Sequence, residues 1–228
     1  EHMAPGMEIE IAIRSYGLPA EWPDAALAQA SAIAPQVGQA DHTGRRDLRD
    51  LPLVTIDGAD ARDFDDAVFA RRTPKGFVLY VAIADVSHYV QPGSALDVEA
   101  LHRGTSVYFP DRVIPMLPEK LSNGICSLNP GVERLAMVCE MALEADGEVR
   151  RAQFYPAVFR SRARLIYENV EQWYRGDRQR PLADDQQVAH SVECLYELYD
   201  VLRARREARG ALDIDTVEPR FIYGVNGK

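Results

Sequence analysis

The chain has 228 residues, 46% of them hydrophobic, and a formal charge of −9, which suits a globular protein with a real core. No segment approaches the roughly 20 uninterrupted apolar residues of a membrane-spanning helix, and none opens with the basic-then-apolar order of a secretory leader, so a cytoplasmic protein is expected. Cys126, Cys139 and Cys194 lie far apart with no C-x-x-C pair, which excludes a disulfide framework or thiolate zinc site and leaves reduced thiols packed as small apolar groups.

In chain order, Ile9, Ile11 and Ile13 alternate with Glu8, Glu10 and Ala12, a period-two pattern that predicts a half-buried strand. A short helix follows Pro23, with Asp24 in its first turn and Leu27, Ala30 and Ile33 on one side. Residues 35–47 are polar and mixed in charge, a connector, and the main domain starts near Leu48. The run LVTID is a strand ending in an aspartate, and GFVLYVAIA is apolar on both faces, as a central strand must be. Further strands are predicted over Thr105–Phe109, Leu135–Leu143 and Val149–Phe159, and a short helix over Leu96–His102 closed by Gly104. Val188, Val192, Leu195, Tyr199 and Leu202 fall at helical spacing. Asp184 and Asp185 sit before them, RARREARG follows, and Gly210 supplies the stop. Tyr196 and Tyr199 are expected in a core or against a partner, and FIYGV near the end reads as a strand. Strands and helices in this order predict an α+β fold, a mixed β-sheet with flanking helices.

The informative segment is VTIDGADARDFDDAV. Asp57 ends a β-branched strand, Gly58 lets the backbone turn, and Asp60, Asp63, Asp65 and Asp66 follow within nine residues. Unit charges ~4 Å apart repel by about 1 kcal/mol even in bulk water, so something must compensate. Arg62 neutralises one charge, and a hard divalent cation, for which carboxylate oxygens are natural ligands, would neutralise more. A solvated acidic loop is the competing reading, but Phe64 lies between the acids and apolar strands flank them. An EF-hand fails: counted from Asp57, Arg62 stands at the sixth place and Val68 at the twelfth. A phosphatase-type aspartyl nucleophile wants an acid where Ala59 stands. Two divalent cations on a carboxylate cluster suit phosphodiester hydrolysis.

VTIDGADARDFDDAV, VAIADVSHYV, RGTSVYFPDRVIPMLPEKLSNGICSLNP and RLAMVCEM, in this order, resemble the catalytic (RNB) domain of the ribonuclease II/ribonuclease R family. The resemblance implies a magnesium-dependent (or manganese-dependent), processive 3′→5′ exoribonuclease that acts on RNA 3′ ends and releases nucleoside 5′-monophosphates. By position, its catalytic, metal-holding aspartates fall on Asp57, Asp63, Asp65 and Asp66. It implies Asp57 and Asp66 as direct ligands, and Asp63 and Asp65 as placing a second ion and the attacking water. Asp60 lies between the matched positions and is accessory. Tyr108 matches the tyrosine that stacks on a base near the RNA 3′ end, as sequence-tolerant aromatic stacking allows. Asp85 and His88 are expected to be structural, and His42 and His102 to be surface residues. MEIEIAIRSYGLP resembles the last strand of a preceding cold-shock (OB) fold. The resemblance thus divides the chain into the end of an OB fold over 1–20, a linker with a short helix over 21–47, and the first part of an RNB domain over 48–228. Cold-shock and S1 domains expected in the full-length chain would hold most of the RNA, which accounts for an acidic segment here. No match to the family's arginine motif for the phosphate occurs in this sequence, so the chain alone is expected to be weak or inactive. A non-catalytic metal- or partner-binding module and another metal-dependent phosphoester hydrolase are the alternatives.

Overall fold

The computed structural model describes residues 7–110, 112–176, 182 and 185–212. Its strands are β1 (Arg46–Asp47), β2 (Val54–Asp57), β3 (Asp66–Thr73), β4 (Gly76–Ala84), β5 (Val107–Tyr108), β6 (Val113–Ile114), β7 (Glu133–Glu144), β8 (Val149–Arg160) and β9 (Ala163–Ile166). Its helices are α1 (Met7–Ser15), α2 (Asp24–Ala32), α3 (Val86–Tyr89), α4 (Ala95–Arg103), α5 (Tyr167–Tyr174) and α6 (Gln186–Ala208). Two compact units interleave along the chain, one from residues 7–33 and Val90–Glu119, the other from Ala34–Tyr89 and Lys120–Leu212.

The second unit is built on a seven-stranded sheet of order β1-β8-β7-β4-β3-β2-β9. The run that is apolar on both faces, β4, stands at its centre. Neighbours from β2 through β8 pair antiparallel, while β1 on β8 and β9 on β2 pair parallel, so the sheet is mixed as predicted. Alternation sends Phe69, Tyr80, Val138, Tyr155 and Phe159 to one face, where they form a core with Leu53, Phe64 and Leu128. The other face carries Ala70, Phe77 and Leu143, covered by Cys194 and Leu198 of α6, while Val54 meets Val170, Trp173, Val188 and Val192 of α5 and α6. Each large side chain buried in this way contributes roughly 1.5–3 kcal/mol. Asp185 caps α6, its Oδ1 accepting the Gln187 N–H at 2.8 Å.

In the first unit α4 follows the expected range. The Ser94 hydroxyl accepts the Asp97 N–H at 3.3 Å at one end, and Gly104 takes a φ of 73° at the other. The Arg103 guanidinium lies 3.5 Å from the Trp22 ring centroid and donates to Glu99, to the Pro115 carbonyl and to the Glu21 carbonyl. Antiparallel β5 and β6 form a separate hairpin that carries Tyr108.

The first predicted strand is a correction. Residues 7–15 form the helix α1, not the closing strand of an OB fold. A helix satisfies its own backbone groups, whereas a strand needs a neighbour, and here the ends also favour the helix: Glu8 and Glu10 lie in the first turn and Arg14 in the last. Ile9 and Ile13, four apart, share one side, and Ile11 is 57% exposed. The strand predicted over Thr105–Phe109 shortens to the two residues of β5. FIYGV and Asp184 lie outside the described residues. Among the described residues no helix is long and apolar enough to cross a membrane.

Gly76 opens β4 at φ 148°, and a Cβ there would stand 2.3 Å from the Leu143 carbonyl oxygen. Gly44 has φ 76° with nothing within 4 Å of a Cβ. Urea unfolding should therefore separate two formally equal changes: Gly44→Ala should cost about 1 kcal/mol from backbone conformation alone. Gly76→Ala adds overpacking against main chain and should cost about 3 kcal/mol.

Candidate active site

The aspartate segment is the connection between β2 and β3, and distant parts of the sheet hold its shape. Asp57 ends β2, paired with Ile166 of β9, and Asp66 opens β3 opposite Ile83 of β4. Between them, the Ala61 N–H donates to the Gly58 carbonyl at 3.2 Å and closes a turn. Phe64 then inserts into the core, 4% exposed. Its N–H donates to the Ser127 hydroxyl at 3.0 Å, and its carbonyl accepts the Leu128 N–H at 2.8 Å. The Ser127 hydroxyl also donates to the Arg62 carbonyl at 3.3 Å. The Asp65 carbonyl accepts the Ala84 N–H at 2.9 Å. The apolar residue that interrupts the acids is thus the peg by which the segment is fixed.

The carboxylates are electrostatically coupled. Burial raises the Asp57 carboxyl above its ordinary range, helped by Asp66 and Asp65, against the opposing effect of the Arg164 guanidinium, with Asp63 adding a further upward push. The Asp65 carboxyl is also raised, first by burial and then by Asp63 and Asp66, although part of its surface meets solvent. Asp57 Oδ2 is buried and has no hydrogen-bond partner. An acceptor-only oxygen in that position suits a hard cation, and the all-oxygen donor set is of the kind magnesium takes. As the side chains stand, no three His, Cys, Asp or Glu residues among those described converge closely enough to hold a metal ion. The fit is one of donor chemistry, carried by the unpartnered Oδ2 of Asp57.

Two neighbours of this cluster carried no signal in the sequence. Arg164, from β9, donates through Nη2 to the carbonyls of Ala59 at 2.8 Å, Ala61 at 3.1 Å and Gly58 at 3.4 Å. It is the cation that lowers Asp57, the role Arg62 was expected to fill. Tyr167, the first residue of α5, is raised by burial and by the charges of Asp57 and Asp66. Tyr167 and Asp66 line a groove of about 720 Å³ together with Tyr174, Tyr196 and Tyr199. Tyr196 stacks on Tyr174 at 3.8 Å, whereas Tyr199 is 52% exposed and lies outside the core. No local pattern could reveal Arg164 or Tyr167, because the parallel pairing of β2 with β9 brings them in from more than 100 residues away.

The other sequence-predicted residues are placed as follows. Tyr108 lies on the hairpin of the first unit and is 64% exposed. Asp60 is exposed on the turn. Asp85 is structural: Arg45 Nη2 donates to its Oδ2 at 2.6 Å and the Ser87 hydroxyl to its Oδ1 at 2.7 Å. His88 joins the same group, its Nε2 lying 3.2 Å from Asp41 Oδ1. His42 is not an ordinary surface residue; half-buried, it lies 3.0 Å from Glu133 Oε2. The Cys126 thiol is pushed up to about 12 by burial, which leaves it inert.

These features describe an α+β domain with an all-oxygen acidic site at the ends of two adjacent strands. The model of the RNB domain matches residues 45–228, and the chain belongs to that family. It is 54% identical to ribonuclease R of Acidithiobacillus ferrooxidans over 213 residues, which cover 93% of this chain and 48% of that protein. It is 52% identical to ribonuclease R of Vibrio parahaemolyticus over 229 residues, which cover 100% of this chain and 27% of the relative. The structure of Mycoplasma genitalium RNase R in complex with double-stranded RNA matches 98% of the chain, and 39% of its own, at 34% identity with a TM-score of 0.91. The chain thus spans between about a quarter and a half of the length of these curated relatives.

Asp85 directly follows β4, outside the aspartate connection, and a variant at Asp85 compared with its parent reads the pH dependence of the Arg45–Asp85 pair itself. Burial raises Asp85, but the Ser87 hydroxyl and the Arg45 guanidinium outweigh it, and the carboxyl sits below its ordinary 3.8. A depressed carboxyl contributes stability above its unfolded value and loses it as pH falls through the folded one. Asp85→Asn should cost about 3–5 kcal/mol at pH 7 by chemical denaturation, because it leaves a buried guanidinium without its carboxylate. The gap between variant and parent should narrow once the pH drops below 3.8.

Proposed function

We propose that this chain supplies the aspartate-bearing part of the active site of a magnesium-dependent 3′→5′ exoribonuclease, which hydrolyses single-stranded RNA to nucleoside 5′-monophosphates. The observation that carries the reading is the buried, unpartnered Oδ2 of Asp57, a carboxyl raised by burial and by the neighbouring charges of Asp66, Asp65 and Asp63. The relatives named ribonuclease R, and the RNA-bound structure among them, support RNA as the substrate class.

Asp57 and Asp66 would hold one divalent cation, and Asp63 and Asp65 would help place a second and orient the attacking water. Magnesium bound there, or manganese in its place, would neutralise the crowded charge, activate that water and stabilise the leaving oxygen. The protein's own contribution is positional. Asp57 is fixed by β2, Asp66 by β3, and the acids on either side of Phe64 by the hydrogen bonds to Ser127, Leu128 and Ala84. Tyr108 stacks on a base near the RNA 3′ end, a contact that tolerates any sequence. An acidic chain of −9 grips RNA poorly by itself, so cold-shock and S1 domains in the full-length protein supply the basic surface. The site of action is the cytoplasm.

The test is degradation of 3′-tailed RNA by the full-length protein with magnesium, with the products identified. Asp65→Asn should lower the rate by on the order of 100-fold, and Asp60→Asn much less. An unchanged rate in Asp65→Asn would move the chemistry away from this cluster. Release of inorganic phosphate from a small ester, in place of 5′-mononucleotides from RNA, would favour a different hydrolase. The 228-residue chain alone should show little or no processive degradation, and sustained processive turnover by it would contradict that division of labour.

A further inference from the structure

We propose that Arg164 is a positioning residue for the aspartate cluster: its guanidinium ties the Gly58–Ala61 turn to β9 and thereby sets the spacing of the carboxylates.

The connection from Asp57 to Asp66 carries mutually repelling acids, and repulsion acts to open it. The Phe64 end is fixed by two main-chain hydrogen bonds and burial. The Gly58–Ala61 end has one internal hydrogen bond, and three of its carbonyls point to a single side-chain nitrogen, Arg164 Nη2. The same guanidinium carbon lies 4.8 Å from the Phe64 ring centroid, so one planar group touches both ends of the segment. Register fixes where that group starts: Arg164 pairs with Thr55, two positions before Asp57 along parallel strands. A lysine there would carry the same charge but has no planar guanidinium to lie against the Phe64 ring while its nitrogen meets the turn.

Charge and geometry make opposite demands on this residue. As a cation beside Asp57, Arg164 competes with any metal ion for the same carboxylates. As a clamp, it pre-orders them. Arg164 is exposed, so solvent screens its repulsion, whereas the order it imposes on the turn is local and unscreened. Clamping should therefore dominate, and removing the guanidinium should weaken cation binding even though a competing charge has gone.

The inference about metal rests on the function proposed above, so its test has two arms on the full-length protein. In the first, hydrogen–deuterium exchange without metal compares the parent with Arg164→Lys and Arg164→Met. Faster exchange confined to residues 58–66, with an unchanged melting temperature, is expected of both variants; unchanged exchange there overturns the clamp. In the second, manganese(II) binding is followed by electron paramagnetic resonance, with Asp57→Asn as the baseline. Both Arg164 variants should bind about tenfold more weakly than the parent, the scale found for residues that orient metal ligands. Tighter binding by Arg164→Met with unchanged binding by Arg164→Lys would make Arg164 a counter-ion only and overturn the proposal. No manganese binding by the parent would sink the metal reading itself and leave the clamp to be decided by the exchange data.

Discussion

Mutual repulsion among the carboxylates between Asp57 and Asp66 is the constraint on which the rest of this structure turns. A short connection cannot hold like charges together by its own local bonds, since the glycine turn supplies one hydrogen bond and the acids supply only acceptors. Each restraint therefore comes from a segment distant in sequence: Ser127 and Leu128 on Phe64, Ala84 on Asp65, and Arg164 on the turn. The site is not a motif placed on a finished sheet. It exists only once β2, β3, β4 and β9 stand in register.

The mixed topology supplies that register economically. Antiparallel β3 and β4 set Asp66 opposite Ile83, next to the strand end that leads to the buried Asp85–Arg45 pair. Parallel β9 lies on the outer side of β2, so residues ending both strands emerge in the same direction. Helix α5 begins immediately after β9, which puts Tyr167 within the field of Asp57 and Asp66 and opens the tyrosine-lined groove beside them. The packing of α6 on the sheet then covers Ala70, Phe77 and Leu143 of the inner strands β3, β4 and β7.

What the sequence disclosed follows from how local each feature is. The central strand was legible because burial on both faces leaves an unbroken apolar run, and α4 and α6 because Gly104 ends the one and Asp185 begins the other. The acids were legible because they are contiguous. Arg164, Tyr167 and Ser127 were not, since ordinary residues acquire their importance from strand pairing alone. At Met7–Ser15 the alternation of isoleucines was real but ambiguous: Ile9 and Ile13 are also one helical turn apart, and the end charges decided for the helix.

The acids of the cluster are not equivalent, and the difference bears on how a site of this kind fills. Asp57 is half-buried with one oxygen that no protein group satisfies, while Asp66 stands open at the start of its strand. Water can compensate Asp66 at all times; it cannot reach Asp57 Oδ2 in the same way. Burial and neighbouring charges raise the Asp57 and Asp65 carboxyls, so binding of a cation there would be linked to full ionisation of both. Arg164 partly relieves Asp57 in the absence of an ion, but as an exposed group fixed to the turn it can shield the carboxylate without replacing a ligand. The unsatisfied oxygen, rather than the number of acids, is what distinguishes this segment from a solvated acidic loop.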